Sequence, residues 1–436
     1  MVQTSTGARP CVVVGGGLAG LTAAVLLARA GRAVTLYEKA KALGGRAQTQ
    51  SRGDFRFNIG PHALYRGGAA RRILKEMGLT FAGHAPRPAG GFAVAGGRKH
   101  ALPGGFMSLL TTSLLRLPGK LELARLMGMM AKLRPDDAEG LTLRQWTERQ
   151  LRQADVRALV EALTRLSTYT NAPEHLSASV ALEQLQLALA QNVDYLDGGW
   201  QVMVDGLRRA AETAGVHIES GRHVATVEQD GWVRGVRLAD GHVQAAEAVI
   251  LAMAPDEAAE LLPASASLRA WSQAAVPIKA ACLDLALSSL PQPRATFALG
   301  VDVPLYLSVH SAVAKLAPAD GALIHVAKYL DPRAATDAKR DEAELEQLMD
   351  LVQPGWRSVV VERRYLPSIT VSHALVSAKG GGFGGRPGPA IPGINGLFVA
   401  GDWVGSQGLL LDASVASAKQ AAERALTVST NHAAAA

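Results

Sequence analysis

Val12, Val13 and Val14 open the patterned part of the chain as an unbroken β-branched run. Such a run suits a parallel strand buried on both faces. After GGGLAG, the apolar residues Ala23, Ala24, Leu26, Leu27 and Ala28 continue as a helix that Gly31 stops. Residues 33–37 predict a second strand, ended by Glu38. RGDFRFNIGPHALY reads as a strand pair closing on Gly60, Pro61 and His62. Residues 69–79 carry helical spacing, with Ile73, Leu74 and Met77 on one side. A Gly- and Pro-rich, hairpin-like stretch spans 82–105. Residues 106–133 are the most apolar part outside the opening, and helices are predicted over 141–189 with a break at 171–173. An amphipathic helix follows Trp200. Short alternating strands then run to 252, punctuated by Asp230-Gly231 and Asp240-Gly241, which are strong hairpin signals. Strands near 278–287 and 305–310 and a charged helix near 336–352 come next. After the flexible crossing at 380–385, a buried strand at 397–400 leads into a small-residue helix.

Composition narrows the class. At 436 residues the chain exceeds one ordinary core, so two domains are expected. Apolar content of 48% against 19% charged residues describes a buried globular protein. The net charge of +7 is spread as single Lys and Arg residues, without the basic run that nucleic acid would call for. Two cysteines, Cys11 and Cys282, exclude a multi-disulfide scaffold and fit a reducing, cytoplasmic compartment. Residues 10–28 are uncharged, yet glycine and alanine dilute them and an acid-ended strand follows, unlike a targeting segment. Residues 1–9 and the terminal alanines read as tails.

The opening segment carries the chemistry. Gly15, Gly17 and Gly20 have GxGxxG spacing between strand and helix, and Glu38 ends the next strand. Glycines let the backbone approach a pyrophosphate, and the helix start at Leu18 and Ala19 offers free N–H groups. The acid accepts from a ribose hydroxyl, with Lys39 beside it. Gly44 and Gly45 then precede Arg46, whose planar fork suits a phosphate. His217, His223 and His242 lack ligand spacing, so no metal site is expected.

GGGLAGLTAAVLLARAGRAVTLYEKAKALGGR resembles the N-terminus of the FAD-dependent amine oxidase and phytoene desaturase superfamily. The resemblance implies an α/β fold with a Rossmann-like, glutathione-reductase-type FAD domain and a mixed α+β cap. It implies that Gly44, Gly45 and Arg46 help to hold FAD. Gly60, Pro61 and His62 would lie near the flavin, and a backbone group near Val224 would meet the adenine. Asn58 stands where that family often has an acid. GDWVGSQGLLLDAS is the second match, placing Gly401 and Asp402 at a ribityl or phosphate-side hydroxyl and Leu411 and Ser414 under the flavin at a helix N-terminus. The string is closest to plant-type phytoene desaturases and squalene-associated FAD enzymes.

The expected FAD-binding domain is discontinuous (1–65, 195–270 and 385–436), and 66–194 with 271–384 form the substrate-binding domain. FAD carries the redox chemistry, so the protein need only place a C–H bond against the ring. Lys279, Tyr306, His310 and Trp403 are the candidate active-site residues. Lys279 lies where related amine oxidases carry a lysine near the flavin; an ordinary strand-end lysine is the plainer alternative. The Leu409–Leu411 triplet suits an apolar, isoprenoid-like substrate better than an amine, the second choice. The electron acceptor stays open between O2 and a quinone. Two other readings remain: a non-enzymatic carrier of prenylated protein, and a nicotinamide-dinucleotide fold. For 106–133, a greasy helix pair with basic edges suits peripheral membrane contact or a substrate channel; an internal pair is the blander alternative.

Overall fold

The computed structural model describes residues 10–86 and 91–433. The tails read at 1–9 and 434–436 fall outside them. Five strands lie parallel in the order His217–Ser220, Val34–Glu38, Cys11–Val14, Ala248–Leu251, Leu397–Val399. Cys11 pairs with Val34 on one side and Ala248 on the other. All four residues of the middle strand are buried, as its β-branched run requires. The uncharged stretch 10–28 is thus a strand, a turn and the helix Leu18–Arg29. No helix among the described residues is long and apolar enough to cross a membrane.

One face of this sheet packs against Leu18–Arg29, Ala69–Glu76, Gln201–Thr213 and the last helix, Leu410–Ala433. Ala70, Ile73 and Leu74 therefore belong to the core of the parallel sheet, although the sequence groups residue 66 onward with the substrate-binding half. The other face is covered by an antiparallel meander, Val224–Gln229, Val233–Leu238 and Val243–Ala245. Its turns hold Gly231 and Gly241, at φ of +89° and +90°, a conformation that glycine adopts without a Cβ clash.

A second sheet has seven strands, in the order Val360–Ser372, Ile278–Leu287, Ala322–Tyr329, Leu305–Val309, Phe297–Gly300, Gly91–Ala95, Arg98–Ala101. Ala338–Val352 covers one face through Leu345, Leu348, Met349 and Val352. Periodicity does not announce Val360–Ser372, because VVERRYLPSITVS is mostly half-exposed and contains Pro367. A proline removes a ladder donor and is tolerated at a sheet edge, which is where this strand lies. The ladder shifts register opposite Pro367, between the Leu366 and Ile369 pairings.

A charge cluster is sealed inside this sheet. Asp284 is fully buried, and its carboxylate accepts from His325 Nδ1 at 2.6 Å and from Arg364 at 2.6 Å. Arg364 also donates to the Asn58 carbonyl and to Gln50 Oε1 at 3.2 Å, and sits 5.1 Å over the Phe57 ring. The cluster ties the large sheet to the Thr49–Asn58 hairpin that runs into Gly60, Pro61 and His62.

Candidate active site

A cavity of about 560 Å³ is lined from both sheets. Glycine makes its near wall. Gly15 has φ +108°, and a Cβ there would lie 2.4 Å from the Ala252 carbonyl. A Cβ on Gly20 would meet the Gly15 carbonyl at 1.9 Å, so the helix can seat against the turn only without one. Gly17 and Gly45 differ: a Cβ on Gly17 would meet nothing within 4 Å, and one on Gly45 only the Gly17 Cα at 4.0 Å. Both open onto the cavity, a cradle that side chains would fill and a phosphate can approach. Gly44 N–H donates to the Gly16 carbonyl at 2.8 Å and joins the two glycine turns. Leu18 and Ala19 line the same wall at the helix start, where backbone N–H groups lack intrahelical acceptors.

Glu38 is held in place by Gly16 N–H at 2.6 Å and Ala40 N–H at 2.8 Å. A carboxylate has room for further donors, so a ribose hydroxyl remains a fitting partner. Lys39 pairs with Glu257, and Arg222, His223 and Val224 complete this polar end.

At mid-cavity, Arg46 Nη1 donates to Asp402 at 2.8 Å and to the Val371 carbonyl at 2.7 Å. His373 Nδ1 donates to the other Asp402 oxygen at 2.9 Å. The Asp402 side chain is 1% exposed. Burial alone would raise its carboxyl, but the Arg46 guanidinium and the His373 donors outweigh that and hold it well below the usual range. The Asp402 carboxylate is thus already engaged by Arg46 and His373 where the residue lines the cavity. Arg46 keeps 40% exposure and still faces the space.

The far end is apolar and aromatic. Ile59, Pro61, Tyr169, Trp200, Ile369, Val371 and Leu410 line it, with His62, Leu411 and Ser414. Burial pushes His62 down to about 4 although Gly60 and Arg46 carbonyls lie 3.0 and 3.1 Å from its nitrogens, so the imidazole is neutral near pH 7. Tyr169 and Leu410 have φ of +59° and +54°. Bulky residues hold left-handed backbone only where their surroundings enforce it, at roughly 1–3 kcal/mol each. Tyr169 is fixed by donating its hydroxyl to the Pro61 carbonyl at 2.9 Å and by an edge contact with Tyr329.

Of the cofactor residues expected from sequence, Gly20 and Gly60 shape the wall from behind; the others line the cavity. The four expected active-site residues do not line it. Lys279 is exposed on its strand, in keeping with the plainer alternative. Trp403 is buried, donates to the Met253 carbonyl at 2.9 Å and packs 6.2 Å from Trp271. Tyr306 is buried on the Leu305–Val309 strand and His310 in the turn after it, their hydroxyl and Nε2 3.2 Å apart, with His310 stacked on Tyr195. Sequence reasoning missed Tyr169, Ile369 and His373, and had Leu410 only as a member of the Leu409–Leu411 triplet. Ile369 and His373 lie on and just after the unannounced edge strand, and no local signal marks a left-handed tyrosine.

The sequence profile of the family described as flavin containing amine oxidoreductase matches residues 18–278. A phytoene desaturase from Cercospora nicotianae is 26% identical over 283 residues, covering 56% of this chain and 45% of that enzyme. The chain thus spans under half the length of the curated relatives it matches. Among solved structures, an oxidoreductase from Methanosarcina mazei superposes with a TM-score of 0.75 at 20% identity, over 95% of this chain and 100% of that one. A putrescine oxidase with redesigned cofactor binding gives 0.75 at 17% identity, over 96% and 99%.

Proposed function

The chain belongs to the flavin containing amine oxidoreductase family, and from that premise we propose that it binds FAD along the cavity and removes hydride from a C–H bond of an apolar, isoprenoid-like substrate. The bound flavin would supply the hydride acceptor. The Gly15–Gly17 turn and the N–H groups at Leu18 and Ala19 would hold the pyrophosphate, Glu38 a ribose, and His223 with Val224 the adenine end. Arg46, locked by Asp402, would add positive charge at mid-cavity. His62, neutral, would fix the wall by donating its one N–H to the Gly60 or the Arg46 carbonyl. Ile59, Tyr169, Ile369 and Leu410 would orient the substrate by apolar contact and exclude water from the reacting carbon.

One observation carries the choice of substrate. The acids lining the cavity are Glu38, Glu257, Glu260 and Asp402. The first three lie at the polar end, and Asp402 is already paired, so among the described residues no free carboxylate faces the aromatic end to hold an ammonium. A small amine is the second reading, favoured by Tyr169 on the cavity wall, since an aromatic ring face suits a cation. Anaerobic bleaching of the flavin distinguishes them. A panel of isoprenoid polyenes is expected to bleach it and small primary amines are not; bleaching by an amine and by no polyene would reverse the assignment.

A further inference from the structure

We propose that the helices Phe106–Thr111 and Leu117–Met129 seat this protein on an anionic phospholipid surface, whichever substrate the flavin oxidises. Leu109 on the first helix and Gly119, Leu123 and Leu126 on the second turn inward. Their other faces are apolar too. Phe106 is 74% exposed, Met107 68%, Leu110 52%, Leu117 70% and Leu121 65%, with Met127 and Met129 beyond 40%. Leu117, Leu121, Ala124 and Gly128 follow one another at helical spacing, so the second helix carries a stripe toward water opposite the stripe it buries. The other large exposed apolar residues among those described, Leu189, Trp232, Val243, Val276 and Val361, are dispersed along the chain. Single exposed leucines are ordinary; a contiguous group marks a contact surface.

Charge selects the occupant. Between residues 98 and 134 the chain carries Arg98, Lys99, Arg116, Lys120, Arg125, Lys132 and Arg134 against one acid, Glu122. Glu122 is turned inward, accepting from Arg152 and Gln153 N–H at 2.8 and 2.9 Å. Along this segment the apolar residues are thus flanked in sequence by basic ones, acids return in sequence only at Asp136, and Asp155 of a neighbouring helix accepts from the Arg116 N–H at 3.3 Å. Lys120 Nζ donates to the Leu110 carbonyl at 2.6 Å and holds the two helices together. A symmetric pairing of two copies through this face would bring the basic flank of one copy against that of the other, an unfavourable like-charge contact. Anionic headgroups meet the basic rim, and the acyl boundary takes the large apolar side chains.

Flotation of the full-length, flavin-loaded protein tests this. Vesicles of equal parts phosphatidylglycerol and phosphatidylcholine are expected to carry it upward; pure phosphatidylcholine should carry far less, and added salt should release it. The combined variant Phe106→Ser, Leu117→Ser, Leu121→Ser is expected to lower the bound fraction about tenfold or more. Its flavin absorbance and unfolding midpoint should be unchanged, because those side chains already stand in water. Arg125→Gln with Lys132→Gln should weaken binding to the anionic vesicles alone. The proposal fails if wild type ignores both vesicles or if the triple variant floats equally well. It also fails if wild type is a dimer that the triple variant converts to monomer, which would make the face a protein interface.

Discussion

Arg46→Ala is expected to purify without bound flavin and to unfold more easily than wild type. The guanidinium makes three contacts, with Asp402, with the Val371 carbonyl and beside His373. Its removal leaves a carboxylate that is 1% exposed with His373 as its remaining side-chain partner. Breaking a buried ion pair costs about 3–5 kcal/mol. The lower end applies here, because Arg46 keeps 40% exposure and water screens its charge. The pH dependence has a definite sign. Asp402 titrates lower in the folded chain than in the unfolded one, so its stabilisation is present above about pH 4 and is lost as pH falls toward the folded value. The stability gap between wild type and Arg46→Ala should therefore narrow below about pH 4. Adding Asp402→Asn should restore part of the stability without restoring flavin, which separates the structural role from the binding role. Urea unfolding across pH, with flavin absorbance per protein, reads both. An Arg46→Ala protein with full flavin occupancy would remove Arg46 from the cofactor site.

Asp284→Asn should cost a comparable or larger amount, about 3–5 kcal/mol. Asp284 and His325 are fully buried, and Arg364 donates to the same carboxylate. An amide of the same size can accept from one of these donors, but its own NH2 then faces the other, so a donor meets a donor in a closed space. The damage should travel. Arg364 fixes the Asn58 carbonyl, and two residues later Gly60 leads into the cavity wall. Flavin should thus bind more weakly although no ligand contact is altered. Unfolding midpoints and flavin titration check this; a variant within about 1 kcal/mol of wild type would show that the cluster is replaceable packing.

The parallel sheet and its glycine turns were legible because each rests on local chemistry. The valine run demands burial, the spacing of Gly15, Gly17 and Gly20 demands a close approach, and Glu38 ends the neighbouring strand. The Asp-Gly turns of the meander were legible for the same reason. The aromatic end of the cavity was not. Tyr169 and Leu410 hold conformations that their residue types disfavour, so only the surrounding fold specifies them. Val360–Ser372 hides behind Pro367 and a half-exposed pattern, and with it went Ile369. Lys279 rested on analogy with related amine oxidases and Trp403 on being the aromatic within reach, while Tyr306 and His310 carried no local signal. Side-chain direction decided otherwise: Lys279 points to water, and the other three are spent on internal contacts. In 106–133 the pattern revealed apolar helices, but a helix apolar on both sides gives no sign of which side is left uncovered.

The central claim is that chain segments from both ends and the middle enclose one FAD. Denaturing the purified protein and weighing the released small molecule by mass spectrometry tests it most directly. One FAD per chain is the predicted result. A nicotinamide dinucleotide, or a colourless protein that takes up no added FAD, would contradict it.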